Sequence, residues 1–256
     1  MRAMNDAGSK RFKDYFSGHS ALYARYRPTY PAALYEYCAT LPARTALALD
    51  CATGSGQAAR GLARHFGRVL GTDASPQQLI AAPPLSGVFL AVAPAERTPV
   101  ADHRVDLVMV AQALHWLNHD AFYAEVRRLL APGGALVATM YDFLECAPEI
   151  DAAVLELRAA VEPYWPPERA QTTKEGFYRI AFPLVEQASP PIAMVQQWTL
   201  EQMLGYLSTW SAVRRFVAAN GVDPVAARVA LFESAWGDPA AVRAVRWPLM
   251  VRIGRP

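Results

Sequence analysis

The sequence has few cysteines, no run of basic residues and no apolar segment at its amino terminus. Cys38, Cys51 and Cys146 form an odd, scattered set without the spacing of metal ligands, so we expect reduced thiols and no metal site. The net charge is +2 and the charges are dispersed, which argues against a dedicated nucleic-acid-binding surface. Without an apolar targeting segment, we expect no membrane anchor and a cytoplasmic location.

What the chain does have is enough apolar sequence for a large core. It contains 256 residues, of which 53% are hydrophobic. Apolar runs of strand length alternate with segments of helical spacing through the first 141 residues. That order predicts an α/β fold in which parallel strands are joined by right-handed crossovers. We treat residues 1–256 as a single domain.

The chain is organised around the stretch 46–75. Residues 46–49 form a short apolar run typical of a buried parallel strand, which ends at Asp50. Gly54 and Gly56 then allow a tight turn into a helix. A second strand, predicted at 68–72, delivers Asp73 to the same edge of the sheet. The order strand, glycine turn, helix, strand and acid predicts a nucleotide-type cofactor, since an acid at this place accepts bonds from ribose hydroxyls.

Two cofactor classes compete for such a turn. The run from Gly54 to Ala59 satisfies a dinucleotide fingerprint, which tolerates alanine at its last position. Asp50 precedes the glycines, however, where its charge would repel a pyrophosphate and attract a sulfonium and an ammonium group. The glycines alone therefore leave both classes open, and Asp50 favours the sulfonium.

The glycine stretch resembles the glycine motif of class I S-adenosylmethionine-dependent methyltransferases, although the family usually has glycine where this chain has Ala52. The resemblance implies S-adenosyl-L-methionine as cofactor. It also implies a doubly wound, Rossmann-like seven-stranded sheet that is mostly parallel, with an antiparallel last strand lying inside the sheet. The composition of a later insertion, residues 145–190, adds a helical cap to this fold. By the same resemblance, the cofactor-binding residues would be Asp50, Ala52, Gly54, Gly56, Asp73, Ala74, Ala95, Glu96 and Gln112.

Further strands follow from short apolar runs. We predict them at 88–92, 105–110, 135–141, 194–198 and 245–253, with 194–198 as the sixth strand of the sheet. Pro248 predicts a bulge or a gap in pairing within the last of these.

Candidate catalytic residues follow the fourth and fifth strands. Gln112, His115 and Trp116 lie just past the fourth strand, where the crevice of a doubly wound sheet opens. If the acceptor must lose a proton, His115 or Tyr141 would remove or relay it, whereas a carboxylate acceptor needs no base. A hydrogen-bonded histidine beneath a helix is an equally good interpretation of His115.

Two segments rich in aromatic residues and proline are expected to cover the crevice. One is the amino-terminal segment 10–40, whose pattern Y-x-x-Y-R-P-x-Y-P also resembles trans-aconitate methyltransferase-like proteins. The other is the insertion 145–190. As substrate or lid residues we select Tyr23, Arg27, Trp116, Trp165 and Trp210, with Arg27 or Arg169 as a clamp for an acidic acceptor. The alternative is that these aromatic side chains pack permanently against the sheet.

The sequence thus predicts an enzyme that transfers a methyl group to a small-molecule acceptor, with a carboxylate or a hydroxyl as the candidate nucleophile. No N/D-P-P-Y/F/W segment follows the fourth strand, so we expect no nucleic-acid substrate. A non-catalytic cofactor-binding or partner-binding protein is the main alternative, and a nicotinamide-dependent oxidoreductase is a weaker one. We expect a monomer or a homodimer.

Overall fold

The structure, a computed structural model, describes residues 25–80, 82–84 and 86–256. In this part of the chain, seven strands form a central sheet and two form a separate ribbon. In chain order the strands are β1 Leu47–Cys51, β2 Arg68–Asp73, β3 Val88–Val92, β4 Val105–Ala111, β5 Leu130–Tyr141, β6 Val185–Gln187, β7 Met194–Trp198, β8 Arg243–Trp247 and β9 Leu249–Arg255.

The strand order of the central sheet is β3-β2-β1-β4-β5-β9-β6. Strands β1 to β5 pair in parallel, whereas β9 lies between β5 and β6 and is antiparallel to both. The predicted doubly wound, Rossmann-like sheet with an antiparallel last strand is therefore confirmed. The order reverses between β1 and β4, and ligands of open α/β sheets bind at the carboxyl ends of the strands beside such a point.

Successive strand residues face opposite sides of the sheet and bury both faces. Ala48, Leu107 and Val137 belong to one apolar core, and their neighbours Leu49, Val108 and Leu136 belong to the other. The first core is covered by the helices Ala32–Thr40, Gln57–Leu62, Pro148–Val161, Leu200–Ser208, Ser211–Asn220 and Val229–Trp236; the second is covered by His119–Leu129 and by Phe177 of Lys174–Arg179. A further short helix, Pro76–Ile80, precedes β3.

The helix boundaries match the local signals in the sequence. Asn118 caps the helix His119–Leu129 by accepting a hydrogen bond from the Ala121 amide, and Thr199 forms a capping box with Gln202. Gly221 ends the helix Ser211–Asn220 in the left-handed conformation, as expected for a residue without a side chain.

The prediction for the sixth strand was wrong. Met194–Trp198 does not join the central sheet; it pairs antiparallel with Arg243–Trp247 to form the separate ribbon. The partner strand β8 is separated from β9 by Pro248, and a proline lacks the amide that would continue a hydrogen-bonded ladder. Pro248 thus divides the predicted strand 245–253 into β8, which pairs in the ribbon, and β9, which pairs in the central sheet.

The insertion 145–190 contains more secondary structure than the single helix predicted. After the helix Pro148–Val161 come two 3₁₀ helices, Glu162–Tyr164 and Pro167–Thr172, and the helix Lys174–Arg179. The insertion then supplies β6, the edge strand beside β9. Within the described ranges, no helix has the length and apolar character needed to cross a membrane.

Candidate active site

The turn after β1 uses left-handed backbone at three positions. Ala52, Gly54 and Gly56 have φ of 53°, 56° and 79°. Glycine takes this conformation freely, but a residue with a Cβ is strained there by about 1–2 kcal/mol. Ala52 therefore holds a strained conformation at the position where the resemblance expects glycine. The turn is fastened to β2 because the Thr53 amide donates to the Thr72 carbonyl oxygen at 2.9 Å.

Asp50 lies beneath this turn and is 1% exposed. Its Oδ2 accepts hydrogen bonds from the Thr53 hydroxyl at 2.6 Å and the Ala59 amide at 2.9 Å. Burial raises the pKa of this carboxyl to about 7, the two hydrogen bonds oppose the rise, and the nearby Asp73 adds to it. The sequence predicts that Asp50 contacts the cofactor, whereas in the structure its carboxyl group forms hydrogen bonds with the turn and the following helix. Its direct contact with a cofactor stays a prediction.

Asp73 ends β2 beside the same turn and is 8% exposed. Its Oδ2 accepts from the Gly54 amide and its Oδ1 accepts from the Ser75 amide, both at 2.9 Å. Each carboxylate oxygen can accept more than one hydrogen bond, so Asp73 retains capacity for a ligand. Among the described residues, a Cβ on Gly54 would meet only the Gln78 side chain, at 3.8 Å, so these residues leave open space above the turn. These residues fit an adenosine-containing cofactor.

Two further strand ends contribute predicted cofactor residues. After β3, Ala95 is buried, and the Glu96 carboxylate accepts from the Asn118 amide at 2.9 Å. After β4, Gln112 has φ of 56°, and its amide donates to the Thr139 carbonyl oxygen at 2.9 Å. Strained backbone at a residue other than glycine is most common at functional sites. The exposed Ala74 follows Asp73 at the same edge.

His115 and Trp116 belong to a 3₁₀ helix, Leu114–Trp116, that follows β4. The two rings are 4.6 Å apart between centroids. Burial, together with the positive charge of Arg169 and the proximity of His119, lowers the pKa of His115 to about 3. The imidazole is therefore neutral at pH 7. Its buried Nδ1 has no hydrogen-bond partner in the part of the chain that the structure describes.

Arg27 reaches the carboxyl end of β5. Its Nη1 donates to the Tyr141 hydroxyl at 3.3 Å, and its Nη2 donates to the Thr209 carbonyl oxygen at 3.3 Å. The next residue, Pro28, lies beside the glycine turn, because its carbonyl oxygen accepts from the Gln57 side-chain amide at 3.1 Å. Residues 25–31 thus contact both the helix Gln57–Leu62 and the end of the helix Leu200–Ser208. Tyr23 and the rest of 10–24 lie outside the described residues.

The insertion places charged and aromatic groups around the end of β5. Arg169 forms an ion pair with Asp142 at 3.5 Å, and only 17% of its side chain is exposed. Its guanidinium lies 4.2 Å from the ring centre of Phe143, and that of Arg158 lies 3.5 Å from the same ring. Arg169 is therefore paired with an acidic residue, and most of its side chain is buried. Asp142, Phe143 and Arg158 were missed in the sequence, although the position of the first two just past a predicted strand could have indicated them.

The rings of Trp165 and Trp210 both contact Phe143. Trp210 is 2% exposed, 5.2 Å from Phe143 and 5.6 Å from Trp165 between ring centroids. Trp210 therefore belongs to the first apolar core, which packs against the sheet, and this is the alternative considered for the lid aromatics. Trp165 is partly buried and packs against the same core.

Known proteins identify the class to which this arrangement belongs. A family model described as a methyltransferase domain matches residues 49–138. A protein of Dictyostelium discoideum named as a methyltransferase is 33% identical over 219 residues, which cover 83% of this chain and 82% of that one. A solved structure from Anaeromyxobacter dehalogenans, named as a type II methyltransferase, is 39% identical with a TM-score of 0.84 and covers 90% of this chain and 97% of that chain.

The chain belongs to the class I S-adenosylmethionine-dependent methyltransferase family. It is an enzyme whose cofactor is S-adenosyl-L-methionine, and the glycine turn, the open space above Gly54 and the placement of Asp73 suit that molecule. This assignment favours methyl transfer over the nicotinamide-dependent and non-catalytic alternatives. The narrower resemblance to trans-aconitate methyltransferase-like proteins stays a prediction.

The strain at Ala52 leads to a prediction about stability. Ala52→Gly should raise the free energy of unfolding by roughly 0.5–1 kcal/mol, because relief of the left-handed strain exceeds the added entropy of the unfolded chain. Urea denaturation measures the change. The control is Ala58→Gly in the helix Gln57–Leu62, which should lose about 1 kcal/mol. Equal losses in both variants would contradict the prediction.

The raised pKa of Asp50 predicts a pH-dependent stability. Because the folded-state pKa of about 7 exceeds the ordinary value of 3.8, the folded protein holds this proton more tightly. The stabilisation is complete below pH 4 and is lost as the pH rises to 7, at about 1.4 kcal/mol per unit of pKa difference. Asp50→Asn keeps one oxygen to accept both hydrogen bonds, so it should lose less stability between pH 5 and pH 8. Chemical denaturation at both pH values measures this, with the exposed Glu149→Gln as control. Parallel curves for wild type and Asp50→Asn would contradict it.

Proposed function

We propose that the enzyme transfers the methyl group of S-adenosylmethionine to an oxygen of a small carboxylic acid. The observation that carries the proposal is the pair of arginines, Arg27 and Arg169, on either side of the segment 141–143 at the carboxyl end of β5. Tyr206 lies near both, since its ring centre is 5.4 Å from the Arg27 guanidinium and its hydroxyl influences the pKa of Arg169. Two partly desolvated cations favour an anionic acceptor.

Cofactor binding is assigned to the edge formed by β1, β2 and β3. Asp73 would accept hydrogen bonds from the ribose hydroxyls, held in position by the Gly54 and Ser75 amides. Ala52, Gly54, Gly56, Ala74, Ala95, Glu96 and Gln112 would line the rest of the cofactor site, with Asp50 supporting the turn from below. When bound, the cofactor supplies an electrophilic methyl group on a sulfonium.

Acceptor binding is assigned to the opposite side of the crevice. Burial lowers the pKa of Arg169, which reflects the cost of keeping its charge away from water. The single carboxylate of Asp142 contacts it at 3.5 Å, a longer separation than in a close charge-assisted hydrogen bond. Arg169 is therefore a poorly solvated donor, and its further N–H groups could donate hydrogen bonds to a carboxylate of the acceptor.

The state of His115 favours a carboxylate over a hydroxyl as the nucleophile. A general base is most effective when its pKa lies near the working pH, and that of His115 is lowered to about 3. A carboxylate loses no proton during methyl transfer, so its methylation does not require a basic histidine. His115 then orients the acceptor, and Tyr141 supports the anion site by holding Arg27 at 3.3 Å.

Covering of the crevice completes the proposed mechanism. In-line displacement needs the nucleophile held at about 3–3.5 Å from the methyl carbon, in a site from which water is excluded. Residues 25–31 and the insertion that carries Trp165 are the segments positioned to exclude it, with Trp116 beside His115 on the floor.

The test uses labelled S-adenosylmethionine with a panel of carboxylic acids and their primary amides. We expect label in the acids alone, in a form released by mild alkali, because the product is a methyl ester. Arg169→Gln should lower kcat/KM for the best acid at least tenfold, which corresponds to about 1.4 kcal/mol of transition-state stabilisation. Arg179→Gln, an exposed arginine of the same insertion, is the control and should keep full activity. Alkali-stable label, or equal labelling of the amides, would contradict the proposal.

A further inference from the structure

Three buried polar atoms without a hydrogen-bond partner lie on two neighbouring segments, the 3₁₀ helix after β4 and the insertion 145–190. They are His115 Nδ1, Trp165 Nε1 and Glu168 Oε2, and the statement holds for the residues that the structure describes. Leaving a buried donor or acceptor unpaired costs about 1–3 kcal/mol, and folded proteins contain few such groups. Three within two adjoining segments therefore need an explanation.

The two segments contact each other. The 3₁₀ helix Leu114–Trp116 carries His115, and the 3₁₀ helix Pro167–Thr172 that contacts it carries Glu168. Trp165 precedes the second helix, and its ring lies 5.3 Å from the Arg169 guanidinium. Arg169 also acts electrostatically on His115. Glu168 precedes Arg169 in the chain, so all three residues are neighbours of the arginine that we assign to the acceptor carboxylate.

The chemistry of the three atoms is complementary to a hydroxyl group. The indole of Trp165 only donates, and a carboxylate, such as that of Glu168, only accepts. Neutral His115 presents either a donor or an acceptor at Nδ1, depending on its tautomer. A hydroxyl both donates and accepts, so it can satisfy these partners. A second carboxylate would be repelled by Glu168, and an apolar group would leave all three atoms unpaired.

We propose that His115, Trp165 and Glu168 form a subsite for a hydroxyl group of the methyl acceptor, which makes the acceptor a hydroxy acid; this inference rests on the proposed function. In this arrangement Arg169 binds the carboxylate, and the three atoms fix the hydroxyl beside it. The hydroxyl is recognised and not methylated, and no proton is transferred to any of the three residues.

The first arm of the test measures stability without ligand. Glu168→Met and Trp165→Phe remove the unpaired atoms and keep apolar bulk, so their unfolding temperatures should equal or exceed that of the wild type. A packing or network role would lower them. Glu125→Met is the matched control, because Glu125 is buried but accepts from the Thr98 amide at 2.7 Å and from Arg128 at 2.7 Å. That variant should be clearly destabilised. Destabilisation of Glu168→Met to the same extent would overturn the proposal.

The second arm measures specificity with labelled S-adenosylmethionine. The substrates are 2-hydroxy monocarboxylic acids and the parent monocarboxylic acids without the hydroxyl. The wild type should favour the hydroxy acids at least tenfold in kcat/KM, and Glu168→Met and Trp165→Phe should abolish that preference with unchanged affinity for S-adenosylhomocysteine. A wild type that prefers the parent acids would overturn this inference and leave the proposed function intact. Methylation of no acid, with S-adenosylhomocysteine bound, would overturn both.

Discussion

The hydrogen bond from the Gly54 amide to the Asp73 carboxylate, at 2.9 Å, is the contact on which the site depends. It joins the turn after β1 to the end of β2, and it forms only because Gly54 takes a left-handed conformation. Asp50 fixes the other side of the turn through Thr53 and the helix Gln57–Leu62. The turn thereby combines a strained backbone with hydrogen bonds to two buried carboxyl groups, those of Asp50 and Asp73.

The insertion 145–190 contacts the carboxyl end of β5 through cation–π contacts and an ion pair. The guanidinium groups of Arg158 and Arg169 both contact the ring of Phe143, and Asp142 pairs with Arg169. Burial lowers the pKa of both arginines, and this partial loss of solvation is the physical basis for proposing an anionic acceptor. Rigid packing of Trp210 and Trp165 against Phe143 keeps the group in place.

Local patterns in the sequence predicted most of the sheet and little of the cap. The order of β1, the glycine turn and β2 follows from short-range signals: an apolar run, residues that permit a turn, and helical spacing. Pro248 likewise signalled the break between β8 and β9. The pairing of β7 with β8 was missed because it joins residues about 50 positions apart, and no local pattern distinguishes a sixth strand from a ribbon.

The candidate site was predictable to the same limited extent. Asp73 and Gln112 lie at the carboxyl edge because strand ends dictate that place. The enclosure of Asp50 depends on Thr53 and Ala59, whose roles are set by the turn geometry rather than by residue type. The burial of Arg169 and of Glu168 Oε2 depends on the contacts that the insertion makes with the rest of the protein, and composition does not predict those contacts.

The most direct test is calorimetric binding of S-adenosylhomocysteine and NAD to the wild type and to Asp73→Ala. The account predicts tighter binding of S-adenosylhomocysteine than of NAD. It also predicts a loss of roughly 2–4 kcal/mol in Asp73→Ala, because two charge-assisted hydrogen bonds to the ribose are removed. An unchanged dissociation constant in Asp73→Ala, or tighter binding of NAD by the wild type, would contradict it.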